Sequence, residues 1–172
     1  GGQTGRAYGT QCLGGIIAPF IIGMIADKFF AAQKILGVLH LAGAGLLYYI
    51  TTQTTFGSFY SLLLIYMIIY MPTLALVNAI ALKQVTSAEK QFSGLRMWGT
   101  IGWIVGGAII QWMAWDNNPE SLSITYKVAA ATSALFGVYS FFLPNTPPPK
   151  AGQKVSISEV LGLDALKILK DK

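Results

Sequence analysis

The sequence predicts an all-α membrane protein, on three observations: five long apolar stretches, loops whose basic residues alternate in side, and a shortage of charge. The stretches cover residues 9–26, 35–50, 59–82, 97–115 and 128–143, each near the roughly 20 residues a helix needs to cross hydrocarbon. Hydrophobic residues make up 53% of the 172 and charged residues 11%, where a soluble domain carries about 25% charge. So few ions cannot build a solvated shell.

Each stretch is bounded by a loop of defined character. Lys28 and Lys34 follow the first, 9–26, and the uncharged Thr51–Gly57 follows the second, 35–50. Lys83, Lys90 and Arg96 follow the third, 59–82, whereas the acidic Asp116–Ser123 follows the fourth, 97–115. Lys150, Lys154, Lys167, Lys170 and Lys172 follow the fifth, 128–143. Under the positive-inside rule the basic loops are cytoplasmic and the other two face outside. Trp112, Trp115 and Tyr126 around the acidic loop suit the aromatic belt of a membrane interface.

That topology requires the first stretch to run from outside to inside. The chain opens at Gly1 with no methionine and no signal peptide pattern, so a preceding helix running the other way is expected. It would make six helices with both ends in the cytoplasm. Residues 1–143 then form a partial transmembrane bundle, 144–155 a proline-rich cytoplasmic linker that acts as a boundary, and 156–172 an amphipathic helix. In the last segment Val160, Leu161, Leu163, Leu166 and Leu169 alternate with Glu159, Asp164, Lys167 and Lys170 at helical spacing, the pattern of a helix lying on the interface.

Other functional classes fit poorly. The net charge of +5 lies at helix ends and in loops rather than in one stripe with stacking aromatics, so nucleic acid is not the expected partner. Cys12 is the only cysteine and His40 the only histidine, and no carboxylate pair lies within an apolar stretch. Metal ligation and intramembrane catalysis therefore lack their residues. The expectation is a protein that is not an enzyme and uses no cofactor.

An internal repeat directs attention to the fourth stretch. Arg6-Ala7-Tyr8-Gly9-Thr10 precedes and enters the first stretch, and Arg96-Met97-Trp98-Gly99-Thr100 the fourth, one pattern on helices of opposite direction. Carriers of the major facilitator type contain inverted three-helix repeats in which second and fifth helices correspond. Arg96, Thr100, Trp103 and Gly107 share one helical face, and Gly99, Gly102 and Gly106 form a neighbouring stripe that admits another helix. A guanidinium, a hydroxyl and an indole along one cavity wall suit a polar planar solute. Against this stand snorkelling of Arg96 to the cytoplasmic interface and packing of Trp103 in lipid or core.

Two polar residues keep two readings each. Asn78, mid-helix behind Pro72, either lines the cavity or joins two helices, since a buried amide needs partners. His40 is either a hydrogen-bonded structural residue or a proton carrier.

Gly23-Met24-Ile25-Ala26-Asp27-Lys28 resembles the signature loop of the major facilitator superfamily, Gly-x-x-x-Asp-Arg/Lys, with Phe30 and Ala31 replacing its usual following glycine and basic residue. A closer resemblance is to the nucleoside:proton symporter family within that superfamily. It rests on Gly15-Ile16-Ile17-Ala18-Pro19-Phe20, Lys34-Ile35-Leu36-Gly37-Val38-Leu39-His40, Tyr70-Met71-Pro72-Thr73-Leu74-Ala75-Leu76-Val77-Asn78, Arg96-Met97-Trp98-Gly99-Thr100-Ile101-Gly102-Trp103 and Leu143-Pro144-Asn145-Thr146-Pro147-Pro148.

The resemblance implies the second to sixth helices of the N-terminal half of a monomeric carrier in a bacterial inner membrane. That carrier would import a nucleoside by alternating access, driven by a proton gradient and completed by a first helix and a C-terminal half. It implies that Arg96, Thr100 and Trp103 line the nucleoside site, where phenylalanine also occurs at the last position. It further implies that Asp27, with Gly23 and Lys28, latches the cytoplasmic gate. Transport of sugars or other small polar solutes, or a non-transporting scaffold, is the alternative.

Overall fold

A computed structural model describes residues 2–28, 30–115 and 117–148, with side chains for all of these except 18–28, Ala88 and Pro119. The expected amphipathic helix over 156–172 lies outside the described residues. Within them the chain forms five α-helices: α1 Gly2–Lys28, α2 Ala32–Ile50, α3 Phe56–Gln84, α4 Ala88–Trp112 and α5 Pro119–Ser140.

The helices follow the order of the apolar stretches but differ in their ends, for local reasons. The Thr-rich turn after α2 supplies caps. Thr51 Oγ1 donates to Tyr48 O at 2.7 Å and Thr52 Oγ1 to Tyr49 O at 2.8 Å, occupying carbonyls that the end of a helix leaves without partners. The Thr55 hydroxyl then accepts from Ser58 N and caps α3. Between α3 and α4 only Val85–Ser87 is non-helical, because Gln91 Oε1 accepts from Thr86 N at 3.0 Å and Ser87 N at 3.2 Å and holds the turn shut.

α4 therefore starts well before the expected residue 97. It ends earlier than expected, at Trp112. Ala114 there adopts φ 53, and Trp115 N donates to Ile110 O at 3.1 Å, a Schellman-type stop whose left-handed residue is usually glycine. α5 begins at Pro119 rather than near 128, because Asn118 and Ser121 form a reciprocal capping box ahead of a proline in the first turn.

Among the described residues one helix, α3, is long and apolar enough to cross a membrane by composition and length, with a mean hydropathy of 2.0 over its best window. Its 29 residues span about 43 Å. The other four run 19 to 27 residues and are diluted by glycine, threonine and polar side chains, so they fall short of the same length-and-composition test. Pro72 sits inside α3 and is buried. It leaves the carbonyl four residues back without its usual donor, and the next residue, Thr73, turns its hydroxyl to Tyr70 O at 2.6 Å.

Close backbone approach sets the packing. An added Cβ at Gly37 of α2 would lie 2.8 Å from the Phe141 ring and 2.9 Å from Gly137 O, and one at Gly137 of α5 would lie 3.1 Å from Gly37 O. These two glycines let α2 and α5 cross almost backbone to backbone, as small residues do at membrane helix contacts. His40 Nδ1 meets Ser133 Oγ at 3.0 Å, the same hydroxyl lies 3.0 Å from His40 O, and the imidazole packs edge-on to Phe136 at 4.7 Å. The sole histidine thus takes the structural geometry of an α2–α5 tie. On the other side, Gly14 of α1 seats against the Met67 backbone of α3, where a Cβ would come within 2.8 Å. α2 and α3 share the apolar cluster of Ala32, Ile35, Leu36, Leu76 and Ile80, with Leu143 packed on it.

Candidate substrate-facing helix

α4 is the helix the bundle leaves open. Among the described residues it touches the rest mainly through its start, beside the end of α3. Leu95, Met97, Trp98, Ile104, Val105 and Trp112 are all exposed although apolar. A Cβ on Gly99, Gly102, Gly106 or Gly107 would meet nothing within 4 Å. The glycine stripe expected to admit another helix is present, and no described helix fills it.

On this helix the structure places three of the candidate residues together. Arg96 is the ninth residue of α4, about 12 Å from its start, not at its inner end. The turns before it, Ala88–Leu95, are largely polar, so Arg96 stands at the edge of the apolar run of α4. Arg96 and Thr100 are exposed, with Thr100 Oγ1 at 3.5 Å from Arg96 O, a contact at the outer limit for a hydrogen bond. Trp103 is 84% exposed, which removes core packing among the described helices as an account of it. Cation, hydroxyl and indole thus form one open strip.

Asn78 is not brought to them by any described hydrogen bond. It is exposed on α3, so the burial expected of a mid-helix amide does not occur among these five helices. Gly23, Asp27 and Lys28 belong to the last turns of α1, and their side chains lie outside the described residues.

The two copies of the repeated motif sit in opposite surroundings. Thr10 is fully buried and its hydroxyl donates to Ala7 O at 2.6 Å, on the side of α1 that also carries Gly14 to α3. Thr100 stands open. Sequence similarity of the copies gave no sign of this difference, because it arises from which neighbour each helix has.

Trp98 was also missed as a separate feature. It is two residues from Arg96 and therefore points away from the strip, lining a cleft of ≈ 470 Å³ with Gln84, Thr86, Lys90 and Gln91 at the α3–α4 turn. An apolar cavity of ≈ 300 Å³ opens nearby, bounded by Leu36, Val77, Ala81, Leu95 and Phe136. It lies where α4 stands off from α2 and α5.

A family model described as nucleoside H+ symporter matches residues 1–172, the whole chain. The chain belongs to the nucleoside:proton symporter family. It is 44% identical over 99% of its length to the putative nucleoside transporter YegT of Escherichia coli. It is 30% identical to the nucleoside permease NupG and 30% identical to the xanthosine permease of the same organism. In each case it spans 41% of the relative's length. Crystal structures of the nucleoside transporter NupG, in mutant and unmutated form, superpose with TM-scores of 0.82 and 0.78 at 28% identity, covering 98% of this chain and 42% of that one. The all-helical fold is thus that of the matching part of a symporter of this family, and the family is one of multi-pass membrane transporters rather than enzymes.

Proposed function

We propose that this chain is the second to sixth helices of the N-terminal half of a bacterial inner-membrane carrier that imports nucleosides by proton symport with alternating access. The match of the symporter family model to the entire chain carries this reading. The open strip of Arg96, Thr100 and Trp103 supports its assignment as one wall of the substrate cavity, with the C-terminal half of the carrier opposite, and Asn78 is assigned to the same cavity from α3.

Topology is assigned from charge and contact together. Ala32 N donates to Thr146 O and Lys83 Nζ to Pro147 O, so the start of α2 and the ends of α3 and α5 meet at one end of the bundle. Lys34 and Lys83 stand at that end, which makes it cytoplasmic under the positive-inside rule. Asp27, with Gly23 and Lys28, follows α1 to the same side and is assigned to the gate.

The inverted repeat supports a missing partner for α4. If α1 and α4 correspond, the helix that covers α4 corresponds to α3, which packs on Gly14 of α1. That is the helix preceding α1 in the full carrier, and Thr100 would stand at the junction between it and the cavity.

The test is uptake of labelled uridine, adenosine and glucose by cells expressing the full-length protein, with and without a proton gradient. Nucleoside uptake that collapses with the gradient is expected. Gradient-driven glucose uptake without nucleoside uptake would instead assign a sugar carrier, and no uptake of any solute would favour a scaffold.

A further inference from the structure

The residues leaving α5 were expected to be a boundary only, yet their first part is fastened to the bundle. Ala31, the N-cap of α2, makes no side-chain cap, and the need is met from a segment far along the chain. Ala32 N donates to Thr146 O at 3.0 Å. Gln33 uses both ends of its amide: Nε2 donates to Asn145 Oδ1 at 2.9 Å and Oε1 accepts from Thr146 N at 2.9 Å. Thr146 Oγ1 donates to Pro144 O at 3.1 Å, and Lys83 of α3 donates to Pro147 O at 2.7 Å. Gln33 is 4% and Thr146 2% exposed. Prolines 144, 147 and 148 keep this stretch extended while leaving its carbonyls free to accept.

From these contacts we infer that residues 144–147 form a strap that binds the cytoplasmic ends of α2, α3 and α5 into one body and stays fastened through the transport cycle. The inference rests on the reading of the chain as part of an alternating-access carrier. Its physical basis is the burial of Gln33. Unfastening strands a buried amide together with the amide hydrogens of Ala32 and Thr146, and unpaired buried polar groups are costly. Rocking of the bundle as a unit leaves all these bonds intact, whereas sliding of α5 along α2 breaks them. Gln33 is thus a positioning residue that does not touch substrate.

The experiment uses the full-length protein in a Cys12→Ala background and has two readouts. Gln33→Ala should speed hydrogen exchange at the Ala32 and Thr146 amides by roughly tenfold, the value of about one net hydrogen bond, and should slow transport without weakening substrate binding. Lys83→Met, at an exposed position, should free only the Pro147 end and change exchange at Ala32 little. The paired variant Gln33→Cys with Asn145→Cys should be slow until a short bis-methanethiosulfonate joins the two positions, each thiolate displacing one methanesulfinate to form a disulfide, and should then recover the rate of the parent. A cross-linked protein that binds substrate but stalls would overturn the inference, because the strap must then release. Equal exchange at both amides in parent and Gln33→Ala would overturn it as well. If the parent moves no nucleoside, the transport reading fails on its own and the exchange rates still decide whether the strap exists.

Discussion

The crossing of α2 and α5 makes a quantitative prediction from two glycines on one helix. At Gly37 a methyl group would lie 2.9 Å from Gly137 O and 2.8 Å from two carbons of the Phe141 ring. The ring, at 45% exposure, can rotate away, but the carbonyl belongs to the α5 backbone. Helix α5 must therefore retreat by several tenths of an ångström, loosening the His40–Ser133 tie and the contacts of Phe136. Overpacking of this kind costs about 1–3 kcal/mol, offset by up to about 1 kcal/mol from replacing glycine with alanine within a helix. Gly37→Ala should lose roughly 1–2 kcal/mol on this balance. At Gly45, on the same helix, a Cβ meets nothing within 4 Å, so Gly45→Ala should gain about 0.5–1 kcal/mol. Gly43→Ala should fall between them, since its Cβ would come nearest the Tyr66 ring, at 3.3 Å, with Ser133 Oγ at 4.0 Å. Reversible denaturation of the purified full-length protein in mixed micelles measures all three. A Gly37→Ala protein as stable as Gly45→Ala would refute the close crossing.

Three further outcomes follow from other parts of the molecule. Ala114→Gly should stabilise the protein by about 1 kcal/mol, because the left-handed backbone there costs alanine that much and glycine little; an unchanged denaturation midpoint would contradict the positive φ. Asp27→Asn should slow transport while leaving substrate affinity in place, since a gate residue shifts conformational populations and not the pocket, and unchanged turnover would count against gating. After Cys12→Ala, a membrane-impermeant thiol reagent applied to intact cells should label Thr54→Cys and spare Ser87→Cys, and the opposite pattern would invert the topology.

Hydropathy made the number and order of the helices legible but not their ends. Ala88–Leu95 and Pro119–Lys127 are helical although polar, because helices continue past the hydrocarbon and the sequence signal of an apolar run stops at its edge. The start of α5 was nonetheless written in Asn118, Pro119 and Ser121, a capping pattern that the acidic loop obscured. The strip of Arg96, Thr100 and Trp103 was readable because helical spacing alone fixes a shared face. Pairings between distant segments were not. Gln33 and Thr146 lie 113 residues apart, and neither residue type announces a partner. Exposure was equally hidden: Thr10 and Thr100 sit in the same motif and differ only in which helix covers them.

The central claim, that Arg96, Thr100 and Trp103 face a nucleoside, is tested most directly by calorimetric binding of nucleoside to the folded full-length protein. A hydrogen bond from a charged donor contributes about 1.5–3 kcal/mol, so Arg96→Ala should weaken binding by roughly ten- to a hundredfold at that value. Thr100→Val should cost less. Trp103→Phe should be tolerated and Trp103→Ala should not, because an aromatic face contributes beyond its buried area. Nucleoside binding with unaltered affinity in both Arg96→Ala and Trp103→Ala would contradict the account and return this face of α4 to helix packing and lipid contact.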